Sequence, residues 1–216
     1  MAKLALVTGG SRGIGAVVVA QLRAAGWVVV APTRDQLDFS DSGVGEKMRE
    51  WVHGFGKYHR ALGALVFCHG TWLSKEIHME SDWWIQYRLR VIAPWFLTEL
   101  LLSSVEGGSV TMVASTQAFG GRYQTGPYGA ACAAQARLMQ GYAQSYKGIR
   151  FNTVAPGLTD TSMAAQVMAS GDCRPDAVPQ PPEAVAGAVL RLVTGDENGV
   201  VLRVVDSVIS EARWSW

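Results

Sequence analysis

Thr8-Gly9-Gly10-Ser11-Arg12-Gly13-Ile14-Gly15 is the stretch whose reading decides the fold. It follows a short apolar run, Leu4–Thr8, and opens a helical pattern, Ile14–Ala25. Gly9 suits a tight turn, Gly13 lets the backbone approach a pyrophosphate, and Gly15 permits close contact between helix and strand. From Ser11 to Ile14 the chain enters a helix N-terminus, whose free N–H groups and positive dipole favour an anion. A glycine cluster alone is a weak signal. Placed between a first strand and a helix it predicts a dinucleotide site over Gly9, Ser11, Arg12, Gly13, Ile14 and Gly15.

Outward from this turn, strand-like runs alternate with helical ones. Trp27–Ala31, Leu62–Phe67, Ser109–Ala114, Arg150–Val154 and Val200–Val205 read as strands, nearly continuous in apolar character, as parallel strands buried on both faces require. Helical patterns cover Gly43–Phe55, Ser81–Leu102, Gly126–Tyr146 and Glu183–Thr194. The expectation is an α/β fold: a single doubly wound Rossmann-type parallel sheet with helices on both faces, one domain over residues 1–216. The sheet should be shortened after the second strand, because Ala31 to Asp38 leaves no room for a crossover helix. Leu37–Phe39 is then at most a stub of edge strand. Arg174–Pro182, with four prolines in nine residues, reads as a surface loop before a helix.

Composition narrows the function classes. Nineteen Lys and Arg against eighteen Asp and Glu give no electrostatic footprint for nucleic acid or an anionic membrane. No apolar run approaches the roughly 18–20 residues needed to span a bilayer. Cys68, Cys132 and Cys173 match neither a metal-ligand spacing nor a disulfide framework, so no metal is expected and a reducing, cytoplasmic setting is.

The end of the second strand bears on which dinucleotide. An acidic residue there would hold a ribose 2′-hydroxyl, but the segment reads Ala31-Pro32-Thr33-Arg34. Arg34 and Arg12 together suit a 2′-phosphate, which points to NADP(H). Asp38 is placed to accept from the adenine amino group, or to serve as a turn or capping residue.

At this point the chain resembles the short-chain dehydrogenase/reductase family, nearly end to end. The glycine turn has the family's TGxxxGxG spacing, and Ser115 with Tyr128 thirteen residues later resembles its catalytic pair. Asn152-Thr153-Val154-Ala155-Pro156-Gly157 followed by Thr161 is similar to its PG motif. The resemblance implies that Pro156, Gly157 and Thr161 hold the nicotinamide carboxamide, that Gly70 keeps the backbone close to the cofactor, and that Tyr128 is the acid/base. Ser115 would bond the substrate oxygen. Gly199–Asp206 resembles the last strand, although Ser207 stands where a glycine is usual. The helices Ser81–Leu102 and Gly126–Tyr146 resemble interface helices, the second with a small-residue face of Ala130, Ala133, Ala134 and Gly141, implying a homodimer or homotetramer.

Three departures stand out. Cys132 occupies the place of the family's lysine and Arg90 that of an asparagine. Phe67-Cys68-His69-Gly70 stands where Asn-Asn-Ala-Gly is usual. Arg90 either carries the missing cation on a neighbouring helix, and so joins Ser115 and Tyr128 as catalytic, or is a partly exposed helix residue at a degenerate site. His69 either lies near the adenosine ribose or is a hydrogen-bonded structural residue. Trp72, Gln117, Phe119, Tyr123 and the loop Leu158–Pro182 are expected around the substrate, a small carbonyl or alcohol. Trp83, Trp84 and Trp95 are expected in packing or interfaces, and Arg213-Trp214-Ser215-Trp216 in docking. The expected function is NADP(H)-dependent carbonyl/alcohol interconversion. The alternatives are a cofactor-binding pseudoenzyme and non-redox epimerisation or dehydration.

Overall fold

The structure, a computed structural model, describes residues 2–58, 61–72, 80–120, 126–174 and 176–212. Seven strands form one sheet in the order β2-β1-β3-β4-β5-β6-β7. These are β1 Leu4–Thr8, β2 Val28–Val30, β3 Ala64–Phe67, β4 Ser109–Val113, β5 Arg150–Pro156, β6 Val201–Val205 and β7 Val208–Glu211. All pair in parallel except β7, which returns antiparallel along β6. The helices are α1 Gly13–Ala24, α2 Val44–Tyr58, α3 Glu80–Tyr87, α4 Ala93–Leu101, α5 Gly126–Ser145, α6 Ser162–Ala169 and α7 Pro182–Thr194.

Alternation along the strands divides the core. Leu6, Leu65, Phe67, Val110, Met112 and Phe151 meet Met48, Leu97, Leu101, Met139 and Tyr142, from α2, α4 and α5. Ala5, Val7, Val66 and Val154 face the other way, onto Val18, Leu22, Val189 and Leu192 of α1 and α7. Each of these large side chains contributes about 1.5–3 kcal/mol by leaving water. A doubly wound sheet with helices on both faces is the expected architecture, and it places the carboxyl ends of β1, β3, β4 and β5 along one rim.

One expectation needs correction, and two regions gain detail beyond it. Leu37–Phe39 forms no strand: a turn over residues 33–37 lets Leu37 and Phe39 drop into the core, at 3% and 6% exposure, so burial takes the place of strand pairing. The helix expected over Ser81–Leu102 is broken by a π turn, Arg88–Ile92, and ends in a short 3-10 turn. Pro94 explains the break, since it has no N–H to return to residue 90 in an α ladder. The Ala93 N–H reaches back five residues to the Arg88 carbonyl. Lastly, β7 is a further strand beyond those expected. Asp206 and Ser207, both at positive φ (51° and 63°), make the tight turn that starts it. Twin positive φ values are the hairpin geometry that usually selects glycine or asparagine. The Ser207 N–H is taken by the Gln180 side chain at 2.9 Å.

Candidate active site

The glycine turn is shaped by what its residues lack. A Cβ on Gly15 would lie 2.1 Å from the Gly9 carbonyl oxygen, and one on Gly9, at φ +70°, 2.6 Å from the His69 backbone nitrogen. Gly13, at φ +55°, faces the Thr161 methyl across the cleft. Arg12 is the extended N-cap of α1 with no side-chain cap bond, and no acid stands in the first turn. A cradle of bare backbone at an uncapped helix N-terminus has the room and polarity that a dinucleotide pyrophosphate needs.

At the end of the β2 segment, Arg34 Nε donates to Asp38 Oδ2 at 3.0 Å and Arg34 Nη2 to Ser40 Oγ at 3.1 Å. Ser40 gives both its backbone N–H and its hydroxyl to Asp38 Oδ1. Burial works to raise the Asp38 carboxyl, but the bonds from Ser40 and Arg34 outweigh it and hold it below its usual value. The two residues expected at the adenosine end are thus one exposed pair, the Arg34 side chain 77% accessible.

The carboxyl ends of β4 and β5 bring the other expected residues to one cavity of about 440 Å³, lined by Gly70, Trp72, Arg90, Ser115, Gln117, Tyr128, Pro156, Gly157 and Thr161. Ser115 caps a 3-10 turn, its Oγ accepting from the Gln117 N–H at 3.2 Å. Tyr128 stands in the first turn of α5, buried, with the Trp72 ring edge-on at 5.2 Å. Gly157 is pinned by its N–H to the Val204 carbonyl, and Thr161 caps α6 by accepting from the Ala164 N–H.

Arg90 lies inside the π turn at 3% exposure, with its guanidinium carbon 4.2 Å from the centre of the Tyr128 ring. Its Nε donates to Gln86 Oε1 at 3.2 Å and its Nη2 to the Thr71 carbonyl at 3.3 Å. A Cβ on Gly70 would lie 2.6 Å from Nη2, so the glycine leaves room for the guanidinium. Burial raises the Tyr128 phenol, while Arg90 and the Ser115 hydroxyl pull it back; the net direction is up. Cys132, one turn further along α5, is fully buried, and burial likewise raises its thiol. That is the behaviour of a small apolar residue and not of a nucleophile.

His69 sits beneath this group. Its Nδ1 is 2.6 Å from Thr8 Oγ1 and its Nε2 2.8 Å from the Leu89 carbonyl, with the Phe39 ring stacked on it at 4.1 Å. Burial lowers its pKa to about 4, so the ring is neutral near pH 7.

Of the expected substrate walls, Trp72, Gln117 and much of the loop Leu158–Pro182, from Leu158 to Val178, line the cavity. Phe119 does not: it packs against the cluster of Ala114, Ala118, Tyr128 and Cys132, with the Arg203 guanidinium 5.8 Å above its ring. Tyr123 and Arg213–Trp216 lie outside the described residues. Sequence reading missed Gln86 and Thr71 as holders of Arg90; the four-residue spacing of Gln86 and Arg90 on one helix was the available signal. It also missed α6, whose Met163 and Val167 line the cavity. The segment carrying α6 is closed at its base. The Gln180 N–H donates to the Leu158 carbonyl and the Asp160 N–H to that of Gln180, while Gln180 Nε2 reaches Thr159 Oγ1 and the Val204 carbonyl.

A family model described as short chain dehydrogenase matches residues 41–171, a span that begins after the glycine turn. An acetoacetyl-CoA reductase of Shinella zoogloeoides is 27% identical over 188 residues, covering 77% of this chain and 78% of the relative. Among solved structures, the aldohexose dehydrogenase of Thermoplasma acidophilum superposes with a TM-score of 0.84 at 19% identity, over 95% of this chain and 93% of that one. ElxO with NADP bound gives 0.83 at 22% identity, over 95% and 98%.

Proposed function

Because the chain belongs to the short-chain dehydrogenase family, we propose that it interconverts a carbonyl and an alcohol on a small molecule, with NADP(H) as hydride partner. The observation that carries this reading is the buried guanidinium of Arg90 on the Tyr128 ring. Arg90 takes the part of the lysine that the family places where this chain has Cys132. A fixed cation beside the phenol stabilises the phenolate that forms when Tyr128 gives up its proton. Tyr128 is the acid/base and Ser115 bonds the substrate oxygen. With burial dominating, the phenol is protonated near pH 7 and ready to donate to a carbonyl.

The dinucleotide supplies or accepts the hydride. Gly9, Ser11, Arg12, Gly13, Ile14 and Gly15 would receive its pyrophosphate; Arg12 and Arg34 a 2′-phosphate; Asp38 the adenine. Gly70, Tyr128, Pro156, Gly157 and Thr161 would line its nicotinamide half. The bound NADP of ElxO and the reaction named for the Shinella relative support this direction. The proposed setting is cytoplasmic, in keeping with free Cys68, Cys132 and Cys173 and with the absence, among the described residues, of a helix long and apolar enough to cross a membrane. Exposed Trp83, Trp84, Ile92 and Trp95 on α3, the π turn and α4 favour a homodimer or homotetramer.

The test is calorimetry with NADPH and NADH, followed by turnover on a carbonyl panel with Tyr128→Phe as control. Binding of NADPH with turnover lost in Tyr128→Phe is the expected result. Binding without turnover on any carbonyl would favour a second reading, a cofactor-binding protein without redox activity, for which the buried Cys132 speaks.

A further inference from the structure

The π turn leaves the Leu89 carbonyl without a helical partner. Ala93, which in an α ladder would donate to the Leu89 carbonyl, donates to Arg88 instead. The next donor in a π ladder would be residue 94, and that residue is Pro94. Leu89 therefore offers an acceptor that the helix cannot satisfy, and a carbonyl left so loses its hydration with nothing in exchange. His69 fills it. A carbonyl has no proton, so His69 Nε2 must be the donor in the 2.8 Å contact. In the neutral ring Nδ1 is then the acceptor, taking the Thr8 hydroxyl proton at 2.6 Å. Phe39 stacks on one face and Phe67 meets the ring edge-on, so the imidazole is fixed by β1, β3 and the buried loop together.

The two residues after His69 act on the next helical residue. Gly70 leaves the space that the Arg90 guanidinium fills, and the Thr71 carbonyl accepts from Arg90 Nη2 and from Gln86 Nε2. Residues 69 to 71 thus grip Leu89 and Arg90 as a unit. We propose that His69 is a positioning residue, which holds the π turn in the register that lays the Arg90 guanidinium on Tyr128. This rests on reading Arg90 as the cation that serves Tyr128. In the competing α register the Leu89 carbonyl would return to the Ala93 N–H. Residues before it would then turn by about 100°, one residue's share of a helix, and carry Arg90 off the ring. Donation from His69 satisfies the Leu89 carbonyl only in the π register, and so favours it.

Fluorine NMR on protein labelled with 3-fluorotyrosine tests this without turnover. Six tyrosines give six signals, and Tyr128→Phe assigns the one that matters. Arg90→Met should raise the apparent pKa of the Tyr128 phenol by about one unit or more. His69→Asn places an amide near Nδ1, so it keeps a partner for Thr8 but cannot reach Leu89; it should give about half of the Arg90→Met shift or more. His69→Gln places its amide nitrogen near Nε2 and should leave the Tyr128 titration close to that of the unmutated protein. A merely structural histidine would lower the melting temperature in both variants and move the Tyr128 signal in neither, which overturns the proposal. So does an equal shift in His69→Asn and His69→Gln. If Arg90→Met itself leaves Tyr128 unmoved, the reading of Arg90 fails and takes the proposal with it. If Arg90→Met moves it and His69→Asn does not, the proposal alone fails.

Discussion

The glycine turn and the Tyr128 group are built on opposite plans. The proposed phosphate end is made of backbone, and Gly9 and Gly15 matter for the atoms they omit. The proposed catalytic end is made of side chains, where Arg90, Gln86, Tyr128 and Ser115 hold one another by bonds and ring contacts. Backbone-built sites admit almost no substitution, because any Cβ collides with a main chain that cannot move aside. Side-chain-built sites can exchange parts, because a charge delivered from a neighbouring helix can act on the same phenol.

The comparison is broken most severely by Gly15→Ala. With a Cβ placed 2.1 Å from the Gly9 carbonyl oxygen, the variant should lose about 3 kcal/mol in urea unfolding, at the upper end of overpacking. NADPH binding should vanish with it. Unchanged stability and affinity would mean that the turn yields, and that the phosphate end is no more rigid than the other.

The second test uses pH. His69, partly buried and with a pKa of about 4 against 6.5 unfolded, binds its proton less readily when folded. The unfolded chain therefore takes up more protons between these values, and stability should fall as pH drops from about 6.5 toward 4, then level off below the folded pKa. The loss attributable to this residue is on the order of 3 kcal/mol at most. His69→Gln should flatten that part of the curve in melting experiments across the pH series. An unchanged slope would exclude His69 as its source.

Next in size, Arg90→Asn should lower turnover about 100-fold while the chain stays folded. Cys132→Lys in that background should restore part of the loss, because it returns a cation to the phenol from α5. Full activity in Arg90→Asn would show that the catalytic end does not depend on the traded charge. The smallest effect belongs to Arg34→Ala, which should cost NADPH about tenfold in affinity, roughly 1.4 kcal/mol, and leave NADH nearly unaffected. Arg34 must first loosen its exposed bond to Asp38, and such surface pairs are worth little. Equal losses for both dinucleotides would remove the basis for an NADP preference.

How much of this was legible in sequence follows the same division. The parallel strands and the glycine turn were readable because apolar runs and glycine spacing report backbone geometry directly. The Arg90–Tyr128 contact could be named only as one of two alternatives. Helical spacing places Arg90 on a face, but the π turn that sets its angle depends on Pro94, His69 and Thr8, from separate segments. The role of Leu37 and Phe39 stays open in sequence for a related reason: an apolar pair after a short strand reads the same whether it extends a sheet or plugs a core. Phe119 was assigned to a wall from topology alone, and topology carries no information on which way a ring turns. β7 escaped because its turn uses Asp206 and Ser207, where the left-handed backbone would ordinarily be announced by glycine or asparagine.

The bonds around Gln180 have a consequence for how this protein can diverge. They join the chain at residues 158–160 to the chain at 180 and both to β6, so the stretch between leaves and re-enters the sheet at one fixed place. For a loop closed in this way, doubling its length costs only about 0.6 kcal/mol in chain entropy. Insertions and deletions between residues 161 and 179 can therefore reshape the wall carried by Met163 and Val167 while the strands and the Tyr128 group stay where they are. On the proposed reading, the residues that choose a substrate and those that act on it lie on separable pieces of chain, and the first can be exchanged wholesale without renegotiating the second.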